Sequence, residues 1–461
     1  NYGFKFDNTY LELPDCFYSH LEPKPVPSPA MVLFNDALAQ ELGLDFSNAS
    51  PKEMAALFSG NTLLKGTRYF AQAYAGHQFG HFTMLGDGRA IVWGEHTAPD
   101  HKKYDIQFKG SGPTPYSRQG DGRAALAPML REYIISEAMH HLGIPTSRSL
   151  AVAKTGSFVQ REVALPGAIL SRVASSHLRI GTFEYAATQN DTKPLEALLN
   201  YTIWRHYPHL IDTENKAITL LKAVMESQID LIVQWMRVGF IHGVQNTDNV
   251  FLSGESLDFG PCAFMDHYHP DTVFSSIDHA GRYAYQNQAN IGQWNLSRLA
   301  ETLLPLMNTK QEKAIECAQE TIGAYPSMYR KKYLAMMRAK IGLDKEDPQD
   351  ASLIKDLLHW MQKNNADYNN TFLDLDPLNQ AQTAPYNTRE CKQWHEQWKL
   401  RLQKNTQSLE SASKSMQACN PQVIPRNHIV EKALEASCNG DEKPLLELLD
   451  IVQKPYEIKK R

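Results

Sequence analysis

The chain has 461 residues, too many for one hydrophobic core, since cores stop growing near ~250–300 residues; two or three domains are expected. Hydrophobic residues make up 42% and charged ones 21%, which excludes a disordered or fibrous chain. Lysine and arginine number 47 against 51 acidic residues, for a net charge of −4, so the whole-molecule field draws in neither nucleic acid nor anionic lipid. Any polyanion site therefore needs locally concentrated positive charge. No apolar run approaches the ~20 residues of a membrane span, and the start, Asn1-Tyr-Gly-Phe-Lys5, has no apolar stretch of a signal peptide. Cys16, Cys262, Cys317, Cys391, Cys419 and Cys438 are scattered without a CxxC pair. This argues against a zinc ribbon or a disulfide framework. It points to a reducing compartment, a bacterial-type cytoplasm or another intracellular one. Neither a nucleic-acid nor a membrane partner is expected, and no feature sets an oligomeric state.

In chain order, residues 1–64 carry alternating prolines at Pro23, Pro25, Pro27 and Pro29, which read as an extended, wrapping segment. Residues 65–165 are rich in glycine and in short alternating runs, a mixed α/β lobe. Its cleanest strand is Tyr104–Lys109: Tyr104, Ile106 and Phe108 share one face, and Asp105, Gln107 and Lys109 the other. A helix follows from about Pro128 to His141, with Leu130, Ile134 and Ala138 on one face, stopped by Gly143 and Pro145. Residues 166–306 become helical, with Ile218, Leu221, Met225, Ile229, Ile232 and Met236 as one long apolar stripe. Residues 307–461 read as a helical C-terminal extension, for example at Leu353, Ile354, Leu357, Leu358 and Met361. The fold class expected is α+β.

The tetrapeptide Gly-Asp-Gly-Arg occurs at Gly86–Arg89 and again at Gly120–Arg123, too short for a structural repeat. The first copy ends a glycine-dense stretch that begins at Gly76. Glycines let backbone N–H groups approach a phosphate, and arginine adds a bidentate donor; a purely structural glycine hairpin has the same pattern. Lys109 ends its strand, and Glu132 lies in the next helix. Such a pair holds a lysine toward nucleotide phosphates in kinase-like folds, though a surface lysine and a solvated glutamate have the same spacing. The sharpest segment is His242-Gly-Val-Gln-Asn-Thr-Asp-Asn249 followed by Leu257-Asp-Phe-Gly260. In kinase-like sites the Asn and the Asp of the DFG chelate the nucleotide's metal, and such oxygen ligands suit Mg²⁺ or Mn²⁺. A phosphorylating kinase has a catalytic Asp five residues before that Asn; here the position is Val244, which cannot accept a proton. Asp248 is the nearest carboxylate. Arg172 and Arg179 lie about two helical turns apart and would meet in one pocket if their segment were helical; an exposed basic stripe fits equally. His77 and His81 lack the HExxH glutamate, so packing roles suit them better than zinc.

The stretches YAGHQFGHFTMLGDGRAIVWGE (74–95), DIQFKGSGPTPYSRQGDGRA (105–124), REYIISEAMHHLGIPTSRSL (131–150), LSRVASSHLRIGTFE (170–184), GFIHGVQNTDN (239–249), LDFGP (257–261) and GRYAYQNQANIGQWNLSRLA (281–300) resemble the selenoprotein O family of pseudokinase-fold protein adenylyltransferases. The resemblance implies a protein-kinase-like bilobal fold with an N-terminal wrapping segment and a helical C-terminal extension. It implies that ATP binds in reversed orientation and that AMP passes to a Ser, Thr or Tyr hydroxyl of a protein substrate, UTP being a second possible donor. By position, Gly86, Gly88, Arg89, Asp121 and Gly122 would line the nucleotide site. Lys109, partnered by Glu132, would hold phosphate together with Arg172 and Arg179. Asp248 would be the proton acceptor, with Asn249 and Asp258 as ligands of Mg²⁺ or Mn²⁺. A reversed nucleotide presents its α-phosphate, which would account for Val244 in the kinase base position. Two other readings stand beside this one: a phosphotransferase, which Val244 disfavours, and a catalytically silent ATP-binding scaffold, which the retained Asp248, Asn249 and Asp258 disfavour.

Many family members carry a regulatory cysteine or selenocysteine near the C-terminus and a cysteine in the loop after the DFG. Here the sequence ends Tyr456-Glu-Ile-Lys-Lys-Arg461 without one, so it is either truncated or lacks that feature, and the loop has Ser275 and Ser276, although Cys262 lies just after the DFG. No regulatory disulfide is expected, so assays with and without a thiol reductant should give equal activity; a large activation by reductant would refute this.

Overall fold

The computed structural model describes residues 2–378 and 386–457. The chain end noted above lies outside them from Ile458 on. In chain order the strands are β1 (Tyr18–His20), β2 (Ala30–Phe34), β3 (Phe70–Gln72), β4 (Ala75–Gln78), β5 (His81–Met84), β6 (Ala90–Thr97), β7 (Lys103–Lys109), β8 (Ala124–Ala125), β9 (Arg148–Gln160), β10 (Ala164–Ala174), β11 (Phe240–Ile241) and β12 (Ala263–Phe264). The main sheet runs β1-β3-β6-β7-β10-β9-β2 with β8 attached to β10, antiparallel throughout, while β4–β5 and β11–β12 form separate ribbons. The helices are α1 (Asp36–Glu41), α2 (Pro51–Phe58), α3 (Leu126–His141), α4 (Ile180–Ala187), α5 (Lys193–His206), α6 (Lys216–Val238), α7 (Gln288–Met307), α8 (Gln311–Gly323), α9 (Tyr325–Lys340), α10 (Asp350–Lys363), α11 (Tyr368–Asp374), α12 (Arg389–Leu402), α13 (Leu409–Cys419), α14 (Asn427–Cys438) and α15 (Lys443–Val452). The architecture is thus mixed α/β, a sheet-based part followed by helices, and no helix among the described residues is long and apolar enough to cross a membrane.

The proline-rich segment does wrap. β1 and β2 lie on the two opposite edges of the sheet, and the residues between them cross it, anchored where Lys24 N–H donates to Ser111 O (3.2 Å) and Val26 N–H to Asn61 Oδ1 (2.8 Å). α3 begins two residues before Pro128, which places the proline in the first turn, where its missing N–H is not needed. Leu130, Ile134 and Ala138 are buried against β9 and β10. Gly143, at φ +76°, ends the helix with its N–H on His140 O. The other side of α3 meets α14 and α15 of the C-terminal helices. Arg131 joins three elements there, donating to Gly260 O (3.0 Å), Glu431 (2.6 Å) and Asn427 Oδ1 (2.8 Å). α6 buries Leu221, Met225, Ile229, Ile232 and Met236, with Ile218 half-buried, and packs on α7 and α9.

β7 has the alternation expected of it, but its polar face is not a solvent face. Asp105, Gln107 and Lys109 are all buried, so each requires a polar partner. Asp105 meets Arg205 of α5 at 3.0 Å, and the same guanidinium meets Glu95 of β6 at 2.6 Å. Burial alone would raise the Asp105 carboxyl; Arg205 and the hydrogen bonds from His177 outweigh it and hold the group below its usual range. Arg205 thus neutralises two carboxylates that have no access to water. Replacing it with leucine leaves both uncompensated and should cost about 3–5 kcal/mol, read as a lowered midpoint in denaturant unfolding. Lys332→Ala, which removes an exposed pair with Asp230, should cost no more than ~1 kcal/mol.

Candidate active site

Between the sheet and the helices lies a cleft of about 370 Å³. Of the residues singled out above, Gly86, Gly88, Arg89, Lys109, Asp121, Gly122, Arg172, Arg179, Asp248, Asn249 and Asp258 all line it. Glu132 lies one layer below, bound to Lys109. The two Gly-Asp-Gly-Arg turns, 34 residues apart in sequence, form part of the same wall. Gly86, at φ +123°, permits the first turn to lie against Tyr116, whose ring a Cβ there would approach to 2.5 Å. Thr114 Oγ1 donates to Asp87 O (2.7 Å) and Ser117 Oγ to Gly88 O, so segment 114–117 buttresses that turn from behind.

Lys109, at the end of β7, donates to Glu132 Oε2 (2.5 Å) and to Asp258 Oδ1 (2.7 Å). Glu132 Oε1 accepts from Arg172 (2.9 Å), and Arg172 also donates to Gln107 (2.6 Å), its direct cross-strand partner. One glutamate therefore anchors two cations. Burial would raise the Glu132 carboxyl, but Lys109 and Arg172 together bring it below the usual range. For Asp258 the same contest, burial against Lys109, Arg89 and Arg172, ends far below the ordinary carboxylate range. Its backbone sits at φ +64°, a left-handed conformation that aspartate tolerates better than most residues.

Arg172 and Arg179 do converge on the cleft, though not through a helix, the condition under which their spacing would have joined them. Arg172 lies in β10, paired with β7 and β9, and Arg179 precedes α4 after the chain leaves the sheet. The alternating apolar residues of β10 bury both faces of the strand, and this tertiary demand overrides the helical spacing. Arg179 donates to Asp248 O (3.0 Å), stacks 4.0 Å over the Tyr74 ring and lies 3.9 Å from Asp87.

Asp248 sits in a single 3-10 turn, Thr247–Asn249. Its Oδ2 accepts from Gln78 Nε2 at 3.4 Å, while its Oδ1 is buried with no hydrogen-bond partner. Burial pushes its carboxyl up to about 6, against the pull of the local backbone and Arg179. Gly76 of β4 lies directly beneath: a Cβ there would fall 2.4 Å from Asp248 Oδ1. Asn249 donates its amide N–H to Val244 O (2.9 Å), which leaves its carbonyl oxygen as the group that can meet a cation. Asn249 and Asp258 offer oxygen donors of the kind hard divalent ions prefer. Among the described residues no cluster of three His, Cys, Asp or Glu side chains can hold an ion by itself. A Mg²⁺ or Mn²⁺ ion here would complete its shell with water and substrate phosphate, as Mg²⁺ commonly does.

Several lining residues carried no separate signal in the sequence reading. Asp87 and Arg123 belong to the repeated turns, and the repetition itself was the available clue. Buried Asp87 accepts from Gln72 N–H (3.0 Å) and Gln107 (3.2 Å), and Arg123 keeps one buried guanidinium nitrogen unpartnered. Arg161, in the β9–β10 turn, had none: it reaches back 40 residues to Asp121 (2.9 Å). Asp121 accordingly lines the cleft with its carboxylate turned to Arg161. His77 and His81 stand on opposite strands of the β4–β5 hairpin, and His77 bonds Glu184. Cys262 is buried, its thiol pushed up to about 12 by burial.

A family model described as protein adenylyltransferase SelO matches residues 2–453. A protein nucleotidyltransferase YdiU of Nitrosococcus oceani is 57% identical over 460 residues, covering 100% of this chain and 93% of that protein. The proteins of the same name from Alcanivorax borkumensis and Halalkalibacterium halodurans are 56% and 53% identical, covering 99% and 98% of this chain and 94% and 93% of their own lengths. The cation-lined cleft with its buried, half-satisfied aspartate is therefore found in a chain whose full length is matched, and the chain belongs to the SelO family of protein adenylyltransferases.

Proposed function

We propose that the cleft binds ATP with a divalent ion and transfers AMP to a Ser, Thr or Tyr hydroxyl of a protein, releasing pyrophosphate. We place this chemistry in a kinase-like bilobal scaffold. Residues 65–165 centre the nucleotide lobe, 1–64 wrap it, 166–306 supply the base and metal ligands, and 307–461 form a bracing extension. The observation that carries the reading is the convergence of Arg89, Lys109, Arg172 and Arg179 on one side of a buried aspartate with an unpartnered oxygen.

The acceptor hydroxyl loses its proton to Asp248 as its oxygen bonds to the α-phosphorus. The bond from that phosphorus to the bridging oxygen breaks, and the electron pair leaves with pyrophosphate. Asp248 suits the proton step because it lines the cleft and burial raises its affinity for a proton toward neutrality. Lys109, Arg172 and Arg179 meet the charge that develops on the leaving group, and Glu132 holds two of them in place. The turns at Gly86–Arg89 and Gly120–Arg123 would bring Arg89 and Arg123 to the nucleotide, since the main-chain N–H groups of Asp87, Gly88, Gly120 and Arg123 are already hydrogen-bonded within the protein. Asn249 and Asp258 would hold Mg²⁺ or Mn²⁺, which when bound supplies further positive charge to the phosphates. UTP fits the same phosphate contacts and is included in the proposal as a second donor.

With ATP labelled at the α-phosphate, Mg²⁺ and a protein acceptor, label should appear on protein. It should fall about 10²–10⁴-fold in Asp248→Asn and in Asp258→Asn, and vanish on chelation until Mg²⁺ or Mn²⁺ is restored. Label from the γ-phosphate alone would establish a kinase and overturn the proposal. Bound ATP with no label from either position would leave a scaffold. Gly76→Ala gives an independent check: a methyl group 2.4 Å from Asp248 Oδ1 must displace that side chain and should lower kcat at least about tenfold.

A further inference from the structure

At the β4–β5 hairpin, whose Gln78 contacts Asp248 and whose Gly80 contacts Arg282, lies a second positive site. Arg282 is half-buried, its guanidinium 4.6 Å from the Trp294 ring centre and 5.6 Å from that of Tyr283. It has no carboxylate within ion-pair distance among the described residues, and its Nε is buried without a hydrogen-bond partner. Arg298, stacked on the same Trp294 ring at 5.0 Å, is by contrast paired with Glu301 at 2.7 Å. The acid nearest to Arg282 in sequence, Asp278, is engaged by the main-chain N–H groups of Arg282 and Tyr283 at 2.9 and 2.8 Å. Arg282 is thus a fixed, planar and uncompensated cation.

Its position ties it to the acceptor side of the reaction. Gly80, at the β4–β5 turn, lies against the guanidinium: a Cβ there would be 3.7 Å from its central carbon. The same turn holds the general base through Gln78 and the catalytic loop through Phe79 N–H to Asn246 (3.2 Å). Asn246 also accepts from Tyr283 OH, next in sequence to Arg282. The outer strand of this hairpin, β5, exposes Phe82 and Met84. The hairpin thus links Asp248, through Gln78, with Arg282, through Gly80. Resting on the adenylyl-transfer reading above, we propose that Arg282 is a specificity-determining residue that selects acceptor hydroxyls flanked by an acidic side chain, whose carboxylate completes the ion pair missing in the free enzyme. A guanidinium held flat by aromatic rings is preorganised for such a pair.

The test uses heat-treated soluble cell extract as acceptor mixture, with ATP and Mg²⁺, and maps AMP-bearing residues by mass spectrometry. Wild-type sites should be enriched in Asp and Glu immediately beside the modified hydroxyl. Arg282→Gln should lose that bias and about tenfold in kcat/KM for acidic-flanked sites, the scale of one charge-assisted hydrogen bond, with ATP affinity by calorimetry unchanged. Arg282→Glu should invert the bias toward Lys and Arg. AMP sites without acidic bias in the wild type, or with the same bias in an ATP-binding Arg282→Gln, would overturn the assignment while leaving adenylyl transfer intact. No AMP on any protein with the wild-type enzyme would overturn adenylyl transfer itself, and this inference with it.

Discussion

A single carboxylate, Glu132, lies between Lys109 and Arg172 in a layer that water does not reach. A buried cation without a counter-charge costs several kcal/mol, so Arg172 depends on α3 delivering Glu132 to within hydrogen-bond distance, while Lys109 shares Glu132 with Asp258. That delivery depends on the sheet register that sets Arg172 opposite Gln107 and Leu170 opposite Lys109, on the stop at Gly143, and on the C-terminal helices packed against the outer side of α3. The extension is in this sense part of the site: Arg131, one residue from Glu132, is anchored in α14 and binds the backbone just after Asp258.

The site also separates two aspartates that are ten residues apart. Asp258, ringed by Lys109, Arg89 and Arg172, is held firmly ionised. Asp248, buried with only a long hydrogen bond from Gln78 to its carboxylate and with Arg179 bound to its backbone oxygen, is shifted the other way. Environments that move like groups apart suit one to bind positive charge and the other to exchange a proton. The contrast comes from burial and partners alone, since the two side chains are chemically identical.

Much of this was legible in the chain. The alternation of 104–109, the apolar spacing of 130–138 and the stripe of 218–236 each describe a local period, and each became the element its period implied. Periodicity reports which residues share a face, not what covers that face. The polar side of β7 therefore read as ordinary amphipathicity, although it is the buried spine to which Arg205, Arg172 and Glu132 are tied. Arg172 and Arg179 show the opposite failure: a helical spacing was present, but strand pairing with β7 and β9 decided the geometry. The contacts of the β4–β5 hairpin with Asp248 and Asn246 span about 170 residues of sequence and leave no local pattern to find.

The wrapping of the N-terminal segment has a consequence for synthesis. β1 and β2 are translated before the strands that hold them: β1 pairs with β3 and β2 with β9, on opposite rims of the sheet. Neither rim can be capped until its partner strand has emerged, and for β2 that means waiting for residues 151–154. A nascent chain therefore carries β2 unpaired through the translation of more than a hundred residues, an interval in which its ladder groups are open to pairing with a neighbouring copy.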